Sequence, residues 1–246
     1  MHSRHRNIPI FIPHQGCPHT CSFCNQKILS GAVKAPAKDE LTEFLLQVSS
    51  RLSPQERMNC EIAFFGGSFT ALDREEMIGY LQTATEFLPL GFAGIRISTR
   101  PDAIDKEILS ILERFGVCAI ELGVQSMENT VLSLNHRGHT REDILRSAAL
   151  ISSHGGFELG LQMMTGLYGS SPQTDLHTAR ELLSLHPDSV RIYPTLILRG
   201  SHLEQLYRMG QYQPASIDDA VATVAPILSL FEEAGVSVLR VGLHSS

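Results

Sequence analysis

Short apolar runs alternate with longer segments of helical periodicity along almost the whole chain, and this alternation constrains the fold most. The apolar runs that predict strands begin at Ile8, Ile62, Ile95, Val117, Phe157 and Ser189. In the segments that follow them, apolar residues recur every three or four positions, which is typical of helices that cover a sheet. Strands separated by helices form right-handed βαβ units and a parallel sheet. The sequence therefore predicts an α/β fold.

The predicted boundaries rest on capping residues and on the lengths of the apolar runs. The strands are expected at residues 8–13, 62–65, 95–98, 117–124, 157–164 and 189–198, with a seventh at 236–243. Helices are expected to begin at Asp39, Asp73, Asp102, Thr140, Ser171 and Ser216. With 246 residues, we expect one domain covering residues 1–246, either a natural short form or a fragment of a longer protein.

Three of the five cysteines lie in one loop directly behind the first apolar run. Cys17, Cys21 and Cys24 have the spacing C-x₃-C-x₂-C. Thiolates are the ligands of iron–sulfur clusters, so this loop can hold three corners of a cubane cluster and leave the fourth iron open. A structural zinc site completed by His14 or His19 is the alternative, because Cys₃His is a common zinc set.

The composition points to a reduced compartment and weighs against a polyanion-binding surface. No apolar run approaches the roughly 18 residues of a membrane-spanning helix, and the first residues are not a signal peptide. We therefore expect a cytoplasmic protein without membrane association, where thiols favour metal chemistry over disulfides. Cys60 and Cys118 are expected to be buried structural thiols. The formal net charge of −6 does not favour nonspecific binding to nucleic acid.

Polar residues follow several strands, at the edge where parallel α/β folds bind ligands. Glu121 lies inside an apolar run, where burying it unpaired would be costly, so it should face a polar cavity or a cation. The turn Gly66-Gly67-Ser68 lets a ligand approach the backbone closely. Gln125 can both donate and accept hydrogen bonds, and the guanidinium of Arg137 suits a carboxylate. Each residue could instead serve only the fold.

The loop CPHTCSFC, residues 17–24, has an aromatic residue before its last cysteine and resembles the signature loop of radical S-adenosylmethionine (SAM) enzymes. In that family three cysteines hold a 4Fe-4S cluster whose open iron binds SAM. Reductive cleavage of SAM gives a 5′-deoxyadenosyl radical that abstracts hydrogen from a substrate. The resemblance implies a partial (β/α)₆ TIM-like barrel, to which the apolar run at residues 236–243 would add a seventh strand at the C-terminal end. It also implies a reductant protein such as flavodoxin or ferredoxin.

The resemblance further implies which residues contact the cofactors. Residues 66–68 match the turn that binds the methionine amino group, although Ser68 stands where glutamate is usual. Ser98 matches a position near the ribose, Arg137 the arginine on the SAM carboxylate, and Gln162 an adenosine contact. Gln125 could donate to and accept from the ribose hydroxyls. The full set of expected cofactor contacts is Phe23, Gly66, Gly67, Ser68, Ser98, Glu121, Gln125, Arg137 and Gln162, with Cys17, Cys21 and Cys24 as cluster ligands.

Several longer motifs resemble one branch of this superfamily, the radical SAM domain of the Elongator catalytic subunit and its bacterial relatives. They are FIPHQGC at residue 11, GGSFTAL at 66, RGHT at 137 and RIYPTL at 191. Oxygen-independent coproporphyrinogen oxidase is also similar. The Elongator resemblance implies tRNA as a substrate, but we expect no counterpart of that subunit's basic N-terminal region or acetyltransferase domain within residues 1–246. The substrate and the oligomeric state stay open.

The sequence therefore leaves three hypotheses. The first is a radical SAM enzyme acting on tRNA, or on a porphyrin or small metabolite. The second is a noncatalytic protein that binds the cluster or SAM, and the third is a zinc-stabilised module. Tyr193, Arg199 and His202, which follow the sixth run, are candidate substrate contacts in the first hypothesis.

Overall fold

A computed structural model describes residues 6–13, 15–17, 20–25, 28 and 34–242. Seven parallel strands form one sheet in chain order. They are β1 (Arg6–Ile12), β2 (Cys60–Gly66), β3 (Gly94–Thr99), β4 (Val117–Gln125), β5 (Glu158–Thr165), β6 (Ser189–Pro194) and β7 (Ser237–Val241). The sheet curls into a half-barrel, so the predicted partial barrel and its seventh strand are confirmed.

Helices connect the strands and cover the outer face of the sheet. They are α1 (Lys38–Arg51), α2 (Pro54–Arg57), α3 (Arg74–Thr85), α4 (Lys106–Arg114), α5 (Asn129–Leu134), α6 (Arg141–His154), α7 (Pro172–Ser184), α8 (His202–Arg208) and α9 (Ile217–Glu233). In the part of the chain that the structure describes, no helix is both long and apolar enough to cross a lipid bilayer.

Four of the predicted helix starts are confirmed and two are wrong. The side chains of Asp73, Thr140, Ser171 and Ser216 accept hydrogen bonds from backbone N–H groups at the starts of α3, α6, α7 and α9. Helix α1 begins one residue before Asp39, after Ala37. Helix α4 is capped by Asp105, because Asp102 instead forms a two-pronged ion pair with Arg100.

Strand β6 ends at Pro194, four residues earlier than predicted. A proline has no N–H to donate to a neighbouring strand, so regular pairing stops there. Residues 195–198 are partly apolar but lie outside the sheet. The predicted strand was too long because an apolar run alone does not show where the hydrogen bonding of a strand ends. The segment from Thr195 to α8 then turns back toward the cysteine loop.

The two faces of the sheet have different chemistry. On the outer face, buried residues such as Ile97, Ile120 and Leu161 pack in a single apolar cluster with the helices. On the inner face, the register brings Ser98 beside Glu121, and Gln162 beside Arg191. Since side chains alternate along a strand, the inner face gathers polar and charged residues, while the apolar core lies outside it.

Candidate cofactor-binding site

The cysteine loop follows β1 and packs backbone to backbone against the glycine turn after β2. The N–H of Gly67 donates to the carbonyl of Ile12 at 2.7 Å, and that of Ser68 to the carbonyl of Gln15 at 3.0 Å. A Cβ on Gly67 would lie 1.9 Å from the Gln15 carbonyl oxygen. The turn therefore needs glycine for steric reasons, and it fixes where the loop leaves the sheet.

The middle of the loop is fixed by a second set of hydrogen bonds. The Ser22 N–H donates to the carbonyl of Asn135 at 3.1 Å, and the Ser22 hydroxyl to Asn135 Oδ1 at 2.6 Å. The N–H of Leu203 donates to the Ser22 carbonyl at 2.7 Å. Asn135 is completely buried and its amide also donates to the Tyr168 carbonyl. Two distant segments of the chain, at Asn135 and Leu203, thus hold one residue of the loop, and a third at Tyr168 holds Asn135 in turn.

The three cysteines of the loop are reduced thiols. Cys21 is buried, and Cys17 and Cys24 are half-buried. Among the described residues, no three His, Cys, Asp or Glu side chains are grouped tightly enough to hold a single metal ion. A cubane cluster spaces its thiolates more widely than a zinc ion does, because each thiolate binds a different iron. His14 and His19, considered as fourth zinc ligands, lie outside the described residues.

Arg137 lies beside the cysteine loop and joins it to the end of β4. Its Nη1 donates to the Sγ of Cys21 at 3.0 Å, and its Nη2 to the Gly123 carbonyl at 2.6 Å. The guanidinium also lies 5.9 Å from the centre of the Phe23 ring, within the range of a cation–π contact. Its Nε is buried and has no partner within the described part of the chain, which leaves one N–H available to a ligand.

Gln125 has an unusual backbone conformation at the end of β4. Its φ of 71° lies in the left-handed region, which costs a residue with a side chain about 1–3 kcal/mol. The register to β5 shifts between Gly123 and Gln125, so Val124 forms a bulge. The Oε1 of Gln125 is buried, and no described group pairs with it. Strained backbone and β-bulges are both over-represented at or next to active sites.

His139 is buried behind this bulge. Its Nε2 lies 3.3 Å from the Val124 carbonyl oxygen. Since a carbonyl only accepts, Nε2 must carry the hydrogen. Burial, together with the positive charges of Arg137 and Arg100, lowers the pKa of His139 to about 3. The ring is therefore neutral at physiological pH, and its Nδ1 is a buried acceptor without a described partner.

Ser68 is engaged with β3. Its hydroxyl is hydrogen-bonded to the hydroxyl of Thr99 at 2.9 Å and accepts from the N–H of Arg100 at 3.1 Å. The hydroxyl of Thr70 also contacts Thr99 at 2.7 Å. The side chain of Ser68 thus ties the glycine turn to β3, and what the turn offers a ligand is its backbone.

A separate network of charges fills the inner face of the half-barrel. Glu121 accepts a two-pronged ion pair from Arg191 at 2.7 and 2.9 Å, and Gln162 Nε2 donates to Glu121 at 2.7 Å and to Ser98 at 3.3 Å. Arg96, fully buried, reaches Glu121 as well as Glu61 and Glu158. Glu121 therefore has cationic partners, which was one of the two environments expected for it.

The profile that describes the Radical SAM superfamily matches residues 11–182, and the profile of the Radical_SAM C-terminal domain matches residues 187–246. The first match alone covers more than half of the chain. The chain belongs to the radical SAM superfamily.

Similar proteins place this radical SAM chain near the Elongator branch. A tRNA uridine(34) acetyltransferase of Dehalococcoides mccartyi is 27% identical over 87% of this chain and 54% of its own length. The structure of Elp3 from the archaeon Methanocaldococcus infernus has a TM-score of 0.73 at 20% identity, covering 99% of this chain and 60% of the other. Coproporphyrinogen III oxidase (HemN) of Escherichia coli has a TM-score of 0.62 at 18% identity, covering 94% and 52%.

The chain spans about half the length of the curated relatives it matches, with 54%, 47% and 46% for three proteins named tRNA uridine(34) acetyltransferase. The resemblance to the Elongator branch and to coproporphyrinogen oxidase is confirmed. The similarity to the two solved structures shows the fold of this radical SAM chain.

The structure divides the expected site residues into two groups. Cys21, Phe23 and Arg137 lie together, and Gln125 lies next to them at the end of β4. Ser98, Glu121 and Gln162 belong to the inner network instead. Of the candidate substrate contacts, Tyr193 is half-buried near Arg191, and burial raises the pKa of its phenol. His202 stacks on His136 at 5.0 Å, and the carbonyl of Arg199 accepts from Asn25.

Sequence reasoning missed two residues of this radical SAM site and one of its network. Asn135 and His139 flank Arg137 in a stretch rich in hydrogen-bond donors, but no pattern showed which strands they would meet. Arg96 had a clearer signal, because a charged residue between Ile95 and Ile97 in an apolar run requires a buried partner.

Proposed function

We propose that the chain is a radical SAM enzyme in which Cys17, Cys21 and Cys24 hold a 4Fe-4S cluster and SAM binds between the cysteine loop and the end of β4. The observation that carries this proposal is Arg137. It bridges the Sγ of Cys21 and the carbonyl of Gly123, while its Nε has no partner among the described residues. An Arg N–H beside a thiolate and next to an unpaired amide acceptor suits a ligand that carries both a carboxylate and hydroxyl groups.

The described residues fit the two cofactors. Three thiols on one loop are the donor set of a cluster with an open iron. Gln125 Oε1 would accept from a ribose hydroxyl and Arg137 Nε would donate to the SAM carboxylate. Backbone carbonyls of the turn Gly66-Gly67-Ser68 would accept from the SAM ammonium group, since glycine lets a ligand approach them closely. Phe23 shields the cluster side of Arg137. We assign Ser98, Glu121 and Gln162 to the floor of the site, because their polar atoms already have protein partners.

With both cofactors bound and a reductant such as flavodoxin or ferredoxin, the cluster would supply the one electron that cleaves SAM, and the radical so formed would abstract hydrogen from the substrate. The contribution of the chain is positional. Arg137 holds the cluster loop against β4, and Gln125 would orient the nucleoside. These groups lie near the carboxyl ends of the strands, where barrel folds of parallel strands bind their substrates.

The substrate that we propose is tRNA. This follows from the relatives, three of which are named tRNA uridine(34) acetyltransferase and match 85–89% of this chain. We propose only the radical step for the residues of this chain, since it spans about half of those proteins. We further propose that residues 1–246 form one domain, because β6 and β7 continue the same sheet as β1–β5. We propose the cytoplasm as its location, because thiols stay reduced there.

Metal analysis after anaerobic reconstitution with iron and sulfide tests the cluster. We expect about four iron and four sulfide per chain in the wild type, as in a cubane cluster. Cys21→Ala should lose nearly all of this iron, while Cys60→Ala, a buried thiol outside the loop, should keep it. A full iron content in Cys21→Ala, or one zinc ion per chain in the wild type, would show that the cluster assignment is wrong.

The tRNA assignment is tested separately from the cluster. We expect unmodified tRNA to bind the reconstituted protein in a filter assay and to increase SAM consumption, with affinity falling as salt rises. A porphyrin substrate and a small-metabolite mixture serve as competing candidates. If coproporphyrinogen and not tRNA increased SAM consumption, the tRNA proposal would be wrong, but the proposed radical chemistry would stand.

A further inference from the structure

Two consecutive backbone carbonyls at the end of β4 are each held by a side chain from one short segment, residues 137–139. Arg137 Nη2 donates to the Gly123 carbonyl at 2.6 Å, and His139 Nε2 donates to the Val124 carbonyl at 3.3 Å. Both side chains are more than nine-tenths buried. Residues 137–139 therefore hydrogen-bond to the bulge of β4, at the point where regular pairing with β5 is interrupted.

The bulge determines the direction of Gln125. Gly123 pairs with Gln162 and Gln125 with Met163, so Val124 is the extra residue. The carbonyl oxygen of a bulge residue lacks its regular hydrogen bond to the neighbouring strand. When it is buried, it therefore needs another hydrogen-bond donor. The Val124–Gln125 peptide leads directly into the left-handed conformation of Gln125, with φ of 71°. A donor on the Val124 carbonyl thus fixes the peptide plane from which the Gln125 side chain departs.

Gln125 would not keep this conformation without support, because a residue with a Cβ prefers negative φ. Its own Oε1 is buried and has no partner in the described chain, so the side chain does not stabilise the backbone through that atom. The Gln125 Nε2 would lie 3.2 Å from a Cβ on Gly123. The amide is therefore close to the carbonyl that Arg137 holds, and the whole turn is packed around residues 137–139.

We propose that His139 is a positioning residue that holds the Val124 carbonyl, fixes the left-handed backbone of Gln125, and so aims the Gln125 amide at the ribose of bound SAM. This inference rests on the proposed function, because it assumes that SAM binds at this edge. His139 itself need not touch SAM. Its role requires only a neutral N–H donor at the position of Nε2.

That requirement gives a matched pair of variants. In His139→Gln the side-chain amide N–H reaches the position of Nε2, whereas in His139→Asn the shorter amide reaches only the position of Nδ1. We expect His139→Asn to bind SAM at least about tenfold more weakly than the wild type, and His139→Gln to stay within about threefold. The measurement is equilibrium dialysis of SAM against the reconstituted protein without reductant, so it does not depend on turnover.

Methionine alone separates positioning of the nucleoside from general damage. Methionine lacks the ribose, so its affinity should be the same in His139→Asn and in the wild type. An equal loss of affinity for methionine and SAM would overturn the proposal, and so would wild-type SAM affinity in His139→Asn. If His139→Asn does not fold, as judged by thermal unfolding, His139→Met replaces it, because methionine fills the space of glutamine without donating.

A double-mutant cycle tests whether His139 acts through Gln125. Gln125→Ala removes the amide that His139 is proposed to aim. In that background, His139→Asn should weaken SAM binding by less than about twofold more, since residues that act through one another are not additive. Two full and independent losses would contradict the proposal. If the wild type binds no SAM at all, the proposed function fails instead.

Discussion

Arg137 connects two parts of the candidate site, the cysteine loop and the end of β4, through one planar guanidinium. One nitrogen reaches Cys21, one reaches the backbone of Gly123, and the third has no partner among the described residues. A lysine in its place would be a single point charge and could not make this forked contact. The position of Arg137 puts the donor that we propose for the SAM carboxylate beside Cys21.

Arg137→Ala should weaken SAM binding by at least about tenfold while the iron content after reconstitution stays within error of the wild type. The reason is that three thiols remain to hold the cluster, but the donor for the SAM carboxylate is lost. Equilibrium dialysis and iron analysis on the same sample measure both quantities. Arg146→Ala on the exposed face of α6 is the matched control, and unchanged SAM affinity in Arg137→Ala would remove Arg137 from the site.

At the scale of elements, the glycine turn after β2 and the cysteine loop after β1 are one structural unit. Gly16 faces the backbone of Ser68, and Gly67 faces the backbone of Gln15; a Cβ on Gly16 would lie 2.2 Å from the carbonyl oxygen of Ser68. The carbonyl oxygens of Ser68 and Gln15 cannot move easily, because both are backbone atoms inside the fold. The turn thus shapes the cluster loop even before it contacts any ligand.

Gly67→Ala should therefore lower the iron content of the reconstituted protein to less than about half and destabilise the chain by about 1–3 kcal/mol, as overpacking does. Iron analysis and urea unfolding measure the two effects. Gly79→Ala is the control, since its Cβ would meet only the flexible end of the Lys38 side chain. A full iron content in Gly67→Ala would contradict this prediction, because it would show that the cysteine loop still holds the cluster when the turn is displaced.

Local patterns predicted the elements well, because caps and strand periodicity depend on neighbouring residues. Thr140 and Ser171 were found in this way. Asp102 was misplaced because the choice between capping α4 and pairing with Arg100 depends on side-chain geometry that the spacing does not contain. The cysteine motif likewise predicted the loop, but not the hydrogen bonds from Asn135 and Leu203 that hold it.

At the scale of the whole molecule, the inner face of the half-barrel is held together by charges. Three carboxylates, Glu61, Glu121 and Glu158, surround Arg96, and Arg191 adds a second cation. These residues come from five different strands. The sequence marked Glu121 as needing a partner, but it could not indicate Arg191, because only the curvature and register of the sheet bring β4 and β6 side chains together.

Arg96→Met should destabilise the folded chain by about 3–5 kcal/mol near neutral pH, because it removes a buried cation to which the carboxylates of Glu61 and Glu121 are paired. Urea unfolding measures this. Arg51→Met, at the exposed end of α1, is the control, and a loss in Arg96→Met no larger than that in Arg51→Met would contradict the charge argument.

The central claim is that the chain uses its cysteine loop to cleave SAM, and 5′-deoxyadenosine is its most direct readout. Reconstituted protein is incubated anaerobically with dithionite and SAM, and the products are separated by chromatography. We predict 5′-deoxyadenosine from the wild type and from Cys60→Ala, and none above background from Cys21→Ala. SAM that stays intact in wild-type protein with a full cluster, or product that persists in Cys21→Ala, would contradict the account.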